Sequence, residues 1–248
     1  MMAEKGITGS TLKIIALITM LIDHIGAVVL GAKLLEPGMD QHGALYMTYV
    51  AMRLIGRIAF PIFCFLLVEG FMHTKSRWNY ARNLLVFALV SEIPFNLAIA
   101  RSMGDTQLTY GVLYPGYQNV FFTLLIGLLC MCGYDFVDRH ANGYRKSLAD
   151  LVILVLGMLV AYLMHTDYSA TGVLAITLMY AFRQNPVKRM FAGCLVLTAT
   201  NMIEAASFVA LLPVKKYNGQ RGIGMKYFFY VFYPVHLFLL YLISRYLI

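Results

Sequence analysis

Charge is scarce in this chain. Asp, Glu, Lys and Arg make up 13% of its 248 residues and hydrophobic residues 60%, whereas ordinary soluble domains carry about 25% charged residues. That balance excludes a water-soluble globular domain. No phosphate-loop signature occurs, and there is no HExxH, no GxSxG and no paired-cysteine metal spacing. Phosphate-loop nucleotidases, zincin-type proteases and nucleophile-elbow hydrolases are therefore excluded, and no metal site is expected. The Gly-rich, basic GQRGIGMK from Gly219 follows no strand, so it reads as a flexible loop able to touch phosphates. Neither an internal repeat nor a low-complexity segment is evident. The apolar runs lack the alternation of a transmembrane barrel.

What is present is a series of long apolar runs. About eight reach or approach the length that crosses the hydrocarbon as helix, near 12–31, 46–72, 82–100, 117–134, 147–164, 169–183, 189–212 and 227–247. The expected fold is all-α, a polytopic membrane bundle of about eight transmembrane helices, with 1–248 as one transmembrane domain. The first run resembles a secretory signal, but it is too long, contains Asp23 and His24 and lacks a small-residue cleavage site. Cys64, Cys130, Cys132 and Cys194 all fall inside apolar runs, which argues for small core residues and against a disulfide framework.

The net charge of +8 would suggest nucleic acid in a soluble protein. Here Lys and Arg sit in short loops, where they set orientation and meet lipid headgroups, so the expected surroundings are a bilayer and no nucleic acid. Arg77 and Arg82, Arg139 and Arg145, and Arg183 and Arg189 belong to three basic loops that share one side under this count. Loops between them are poorer in positive charge: Lys33 faces Glu36 and Asp40, and Arg101 faces Asp105. That arrangement predicts a cytoplasmic N-terminus. Lys215, Lys216, Arg221 and Lys226 disobey, because eight full spans would place them outside. Asn201 and Glu204 within 189–212 leave a second topology open, a re-entrant pair that returns the basic loop to the cytoplasm and sends the C-terminus outward.

The run from Leu12 to Gly31 carries Lys13, Asp23 and His24. Eleven residues of helix make three turns plus about 20°, so Lys13 and His24 share a face roughly 16 Å apart along the axis. Ionisable groups at membrane depth face a protein interior or a water-filled cavity and mark function by default. An imidazole suits general-base chemistry near neutral pH. Asp23 points about 100° away from it and is expected to meet a cation on another helix. Arg53 and Arg57, four apart in RLIGRIAFPIFCFLLVEGF, share a helical face and need anions. Asp23, Glu69 and Glu92 are internal candidates, and phosphate or carboxylate the candidate ligand. Pro61 is expected to kink that helix. Asn119 opens the fourth run, and Tyr233 and His236 stand in an aromatic stretch of the last. These polar residues serve equally as interhelical glue or as substrate contacts.

TGSTLKIIALITMLIDHIGAV, RLIGRIAFPIFCFLLVEGF, SEIPFNLAI, YQNVFFTLLIGLL and KYFFYVFYPVHLFLLYLI resemble the TraX family, whose namesake N-acetylates conjugative pilin, within a wider group of transmembrane acyltransferases. The resemblance covers nearly the whole chain. It matches Lys13 and His24 to a basic residue separated by ten intervening residues from a first-span His, with Lys where Arg is usual. Arg53 and Arg57 are similar to that group's arginine pair but one residue further apart. The resemblance implies a multi-pass protein of the bacterial inner membrane that takes acetyl-CoA or another acyl-CoA from the cytosol. It implies His24, with Asp23, as the catalytic group, acting as general base or transient acyl carrier. Lys13, Arg53 and Arg57 would bind the cosubstrate, and Glu69, Glu92, Asn119, Tyr233 and His236 would support the site or touch substrate. A pilin-like protein or an envelope glycan is the implied acceptor. The same buried groups also suit a proton-coupled or anion transporter, or a non-catalytic assembly factor, although no repeat of the transporter kind is found.

Overall fold

The first helix is capped by Thr8, whose hydroxyl accepts from the Thr11 N–H, and winds as α1 over Gly9–His24. The structure is a computed structural model that describes residues 6–36, 38–39, 42–102, 116–224 and 226–246. Asp40, Asp105 and the side chains of Arg101 and Lys226, which entered the reading of loop charge, lie outside the described residues. Among the described residues all regular structure is helical: α2 (Gly31–Leu34), α3 (Ala44–Gly56), α4 (Ala59–His73), α5 (Arg77–Ser102), α6 (Val120–His140) and α7 (Gly143–Leu163). They are followed by α8 (Ser169–Ala181), α9 (Pro186–Thr200), a 3₁₀ segment (Met202–Ala210), α10 (Leu211–Lys215) and α11 (Lys226–Tyr246). Among the described residues six helical stretches are long and apolar enough to cross a membrane. The protein is a multi-pass helical membrane bundle.

Two of the expected spans are broken, each for a local reason. Pro61 offers no N–H to the Arg57 carbonyl and its ring crowds that position. The run 46–72 therefore stops as α3 at Gly56 and restarts as α4 at Ala59, with Pro61 in the first turn, where a missing N–H costs nothing. In 189–212 the break falls at Asn201, whose Oδ1 accepts from the Ile203 N–H and caps the 3₁₀ segment. A third irregularity directly follows His24: residues Ile25–Leu30 are wound as π-helix, closed by the Gly31 N–H donating to the Gly26 carbonyl. Such segments add a residue to the turn and recur at functional sites. Gly26 here packs against Met52 and the Arg53 stem.

Ion pairs show which ends share a side. Arg77 meets Asp135, Lys146 meets Asp138 at 2.8 Å, and Arg183 approaches Asp138 at 3.9 Å. These link the start of α5, the end of α6, the start of α7 and the chain after α8. Glu69, near the end of α4, meets Arg189 in the first turn of α9 at 2.6 Å, and the Tyr217 hydroxyl donates to Glu69 at 3.2 Å. Backbone bonds then tie the 216–221 loop to the entry of α1: Ile7 donates to Lys216, Gly9 to Gln220 and Ser10 to Arg221. All the basic loops, including the one that disobeyed the eight-span count, therefore lie on one side. The chain from α9 to α10 enters and turns back. Of the two topologies left open by the sequence, the structure has the re-entrant one.

Candidate functional site

The stripe read from α1 faces a cavity. Lys13, Leu17 and Met20 line a cleft of about 690 Å³, and His24 continues the same stripe one turn beyond Met20. The mouth lies on the basic side, where Lys75 and Arg221 join Lys13, whose ammonium sits 5.2 Å over the Phe229 ring. The inner end is apolar and aromatic, with Phe121, Leu124, Tyr230 and Tyr233. Glu69 forms part of the wall and is held by buried Arg189 and by Tyr217. Burial and the Glu69 carboxylate push the Tyr217 phenol above its ordinary value. Arg189, 2% exposed, also lies 4.6 Å over the Phe65 ring.

His24 lies beyond this inner end. Tyr233 stands edge-on to its ring at 6.0 Å, between the imidazole and Phe121. His24 Nδ1 is 2.6 Å from Nε2 of His236, with the rings only 13° from parallel. His236 is 5% exposed, and its Nδ1 lies 2.7 Å from the Phe232 carbonyl one turn earlier on α11. Residues from the two ends of the sequence thus make a histidine pair, which no spacing along the chain could announce.

Asp23 looks the other way. One of its oxygens accepts from Arg53 at 2.8 Å and the other from Arg57 at 3.0 Å, while Arg57 also donates to Glu204 at 2.8 Å. Gly56 makes the approach possible, since a Cβ there would overlap Asp23. Two carboxylates and two guanidiniums balance in this node, which binds α1, the α3–α4 break and the re-entrant segment. Arg53 and Arg57 are not among the residues that line the cleft. Glu92 belongs to a further network: Asn119 donates to it at 2.6 Å and Asn96 at 3.3 Å, and Asn119 also caps α6 by accepting from the Phe121 N–H. Of the residues singled out from sequence, Lys13, Glu69 and Tyr233 meet at the cleft, with His24 and His236 behind Tyr233. Asp23, Arg53 and Arg57 form a separate node, and Glu92 and Asn119 another. Among the described residues no group of three or more His, Cys, Asp or Glu side chains is placed to hold a metal ion.

The family profile described as TraX protein matches residues 8–244. The chain belongs to the TraX family. The matched stretch takes in the α1 stripe and both histidines. The chain is 29% identical over 245 residues to a probable fimbrial assembly protein, FimC of serogroup H1, from Dichelobacter nodosus, with 92% of each chain covered. It is 21% identical over 207 residues to an uncharacterised protein of Rickettsia prowazekii (strain Madrid E), covering 84% of this chain and 68% of that one. No solved structure matches. Sequence reasoning on this TraX chain missed Tyr217 as a wall residue, Arg189 as the partner that holds Glu69, and Glu204 as a partner of Arg57. Arg189 carried no signal beyond its place in a basic loop, and Glu204 was visible only as an acid inside an apolar run.

Proposed function

We propose that this TraX-family protein is an integral membrane acyltransferase that moves an acetyl or other acyl group from cytosolic acyl-CoA to an amine or hydroxyl. The observation that carries this reading is the continuous stripe Lys13–Leu17–Met20 along the cleft, leading to His24. A basic mouth above an apolar shaft suits a thioester whose phosphates stay at the membrane surface while its arm reaches inward over roughly 16 Å of helix. Lys13, Lys75 and Arg221 hold phosphate at the mouth. His24 takes the acceptor's proton as general base. The gathering of the basic loops on one side favours a cytoplasmic mouth and N-terminus in a bacterial inner membrane, by the usual rule for Lys and Arg in short loops. A relative named as a probable fimbrial assembly protein agrees with a pilin-like acceptor, and an envelope glycan has the same chemistry to offer.

The test is acyl-CoA turnover by purified protein in lipid nanodiscs, followed by mass spectrometry of the acceptor. Turnover lost in His24→Ala and kept in Arg145→Gln, a change at an exposed position in the first turn of α7, supports the reading. Solute flux in proteoliposomes without any CoA release sinks it in favour of transport.

A further inference from the structure

We propose that His236 is the positioning residue of this site, fixing the tautomer of His24 so that the nitrogen left bare is Nε2. The inference follows from which atoms can donate. A carbonyl oxygen only accepts, so the 2.7 Å approach of His236 Nδ1 to the Phe232 carbonyl puts a hydrogen on that nitrogen. In a neutral ring Nε2 then carries a lone pair and can only accept. His24 Nδ1 lies 2.6 Å from that lone pair, so with both rings neutral His24 carries its hydrogen on Nδ1. Its Nε2 is left unprotonated, with no partner among the described residues. Without His236 an imidazole samples both tautomers, and only the Nδ1–H form presents Nε2 as a base.

The arrangement is built to hold. Phe232 and His236 are one turn apart on α11, so helix geometry itself delivers the carbonyl that sets the His236 tautomer. Tyr233 stands edge-on to both imidazoles, at 6.0 Å from His24 and 5.7 Å from His236. The chain of bonds ends at Phe232, because an amide carbonyl is too weak a base to take the proton on. His236 therefore orients His24 and steadies the imidazolium that forms, and does not carry the proton away.

The role in catalysis rests on the acyltransferase reading. In that step the acceptor's N–H or O–H proton passes to His24 Nε2 while the acceptor's lone pair forms a bond to the thioester carbon. The C–S bond breaks with its electrons on sulfur. The proton on Nε2 then goes to that thiolate, leaving free CoA thiol and the acylated acceptor.

Two measurements test the proposal. In the full-length chain labelled with ¹⁵N-histidine in nanodiscs, both rings should show protonated Nδ1 and bare Nε2, with signals assigned by their loss in His24→Ala and His236→Gln. A wild-type His24 protonated at Nε2, or a doubly protonated His236, overturns the proposal. In kinetics, His236→Phe keeps an aromatic ring but removes the acceptor, and kcat should fall about 100-fold or more while KM for acyl-CoA holds. His236→Gln, whose amide oxygen can take the place of Nε2, should stay within about tenfold of wild type. Equal losses in the two variants overturn it. Wild-type protein with the stated protonation but no acyl transfer would remove the enzyme reading and leave the tautomer assignment standing. Active protein with the reverse protonation would do the opposite.

Discussion

Asp23 and His24 are neighbours on one helix and live in opposite kinds of surroundings. Both oxygens of Asp23 are taken up by Arg53 and Arg57, in a node that balances its own charge. His24 is held through one nitrogen only, and its other nitrogen has no partner among the described residues. A satisfied polar network is hard to open, because removing one member strands a charge in a place with little water. A half-satisfied ring held in one orientation is available for chemistry. The difference teaches that burial of an ionisable group marks a site only when some of its valence for hydrogen bonding is unspent. On that criterion, and on the proposed acyltransferase reading, the histidine pair would be the reactive element and the arginine node the frame.

The sharpest way to break this contrast is at its reactive half. His24→Ala should cut acyl transfer by about 100- to 10,000-fold, the range for loss of a general base, while leaving thermal unfolding in detergent close to wild type. Unchanged turnover would reverse the two roles. Next comes the frame: Asp23→Leu removes the carboxylate shared by Arg53 and Arg57 and should cost about 3–5 kcal/mol of stability. It would be read as a lower melting temperature and early proteolysis, with residual turnover in the fraction that stays folded. Gly56→Ala is a subtler attack on the same node, since the new methyl group displaces Asp23 from its seat. About 1–3 kcal/mol is expected from such overpacking. Smallest is Lys13→Ala, at the mouth of the cleft. CoA should raise the melting temperature of the wild type and raise it less in this variant, consistent with about a tenfold weaker Kd. Equal stabilisation in both would remove phosphate binding from Lys13.

The parts legible in the sequence were the local ones. Lys13 and His24 fall on one face because helix geometry depends only on their spacing, and Leu17 and Met20 fill in that stripe. That Asp23 needs a cation and the two arginines need anions also followed from residue types alone, and Asp23 was named among the partners. Glu69 and Glu92 were named with it, yet they pair with Arg189 and Asn119, because apolar runs do not say which helices become neighbours. His236 gained its place through α11 packing against α1 and the π segment, a contact across most of the chain. Asn201 and Glu204 hinted at a break in 189–212 without deciding it, since an apolar stretch of that length is long enough to span. The decision came from the backbone bonds between Ile7 and Lys216 and from the Tyr217 hydroxyl on Glu69.

Because the chain from α9 to α10 turns back, Gly6 and Tyr246 fall at opposite ends of the bundle among the described residues, which predicts different compartments for them. A reporter peptide fused ahead of Gly6 and one placed after Tyr246 would therefore be reached by membrane-impermeant reagents from opposite faces of the same vesicle. On the proposed acyltransferase reading, an acceptor tethered to the far end of α11 would meet the protein from the face opposite to the one at which the acyl donor enters.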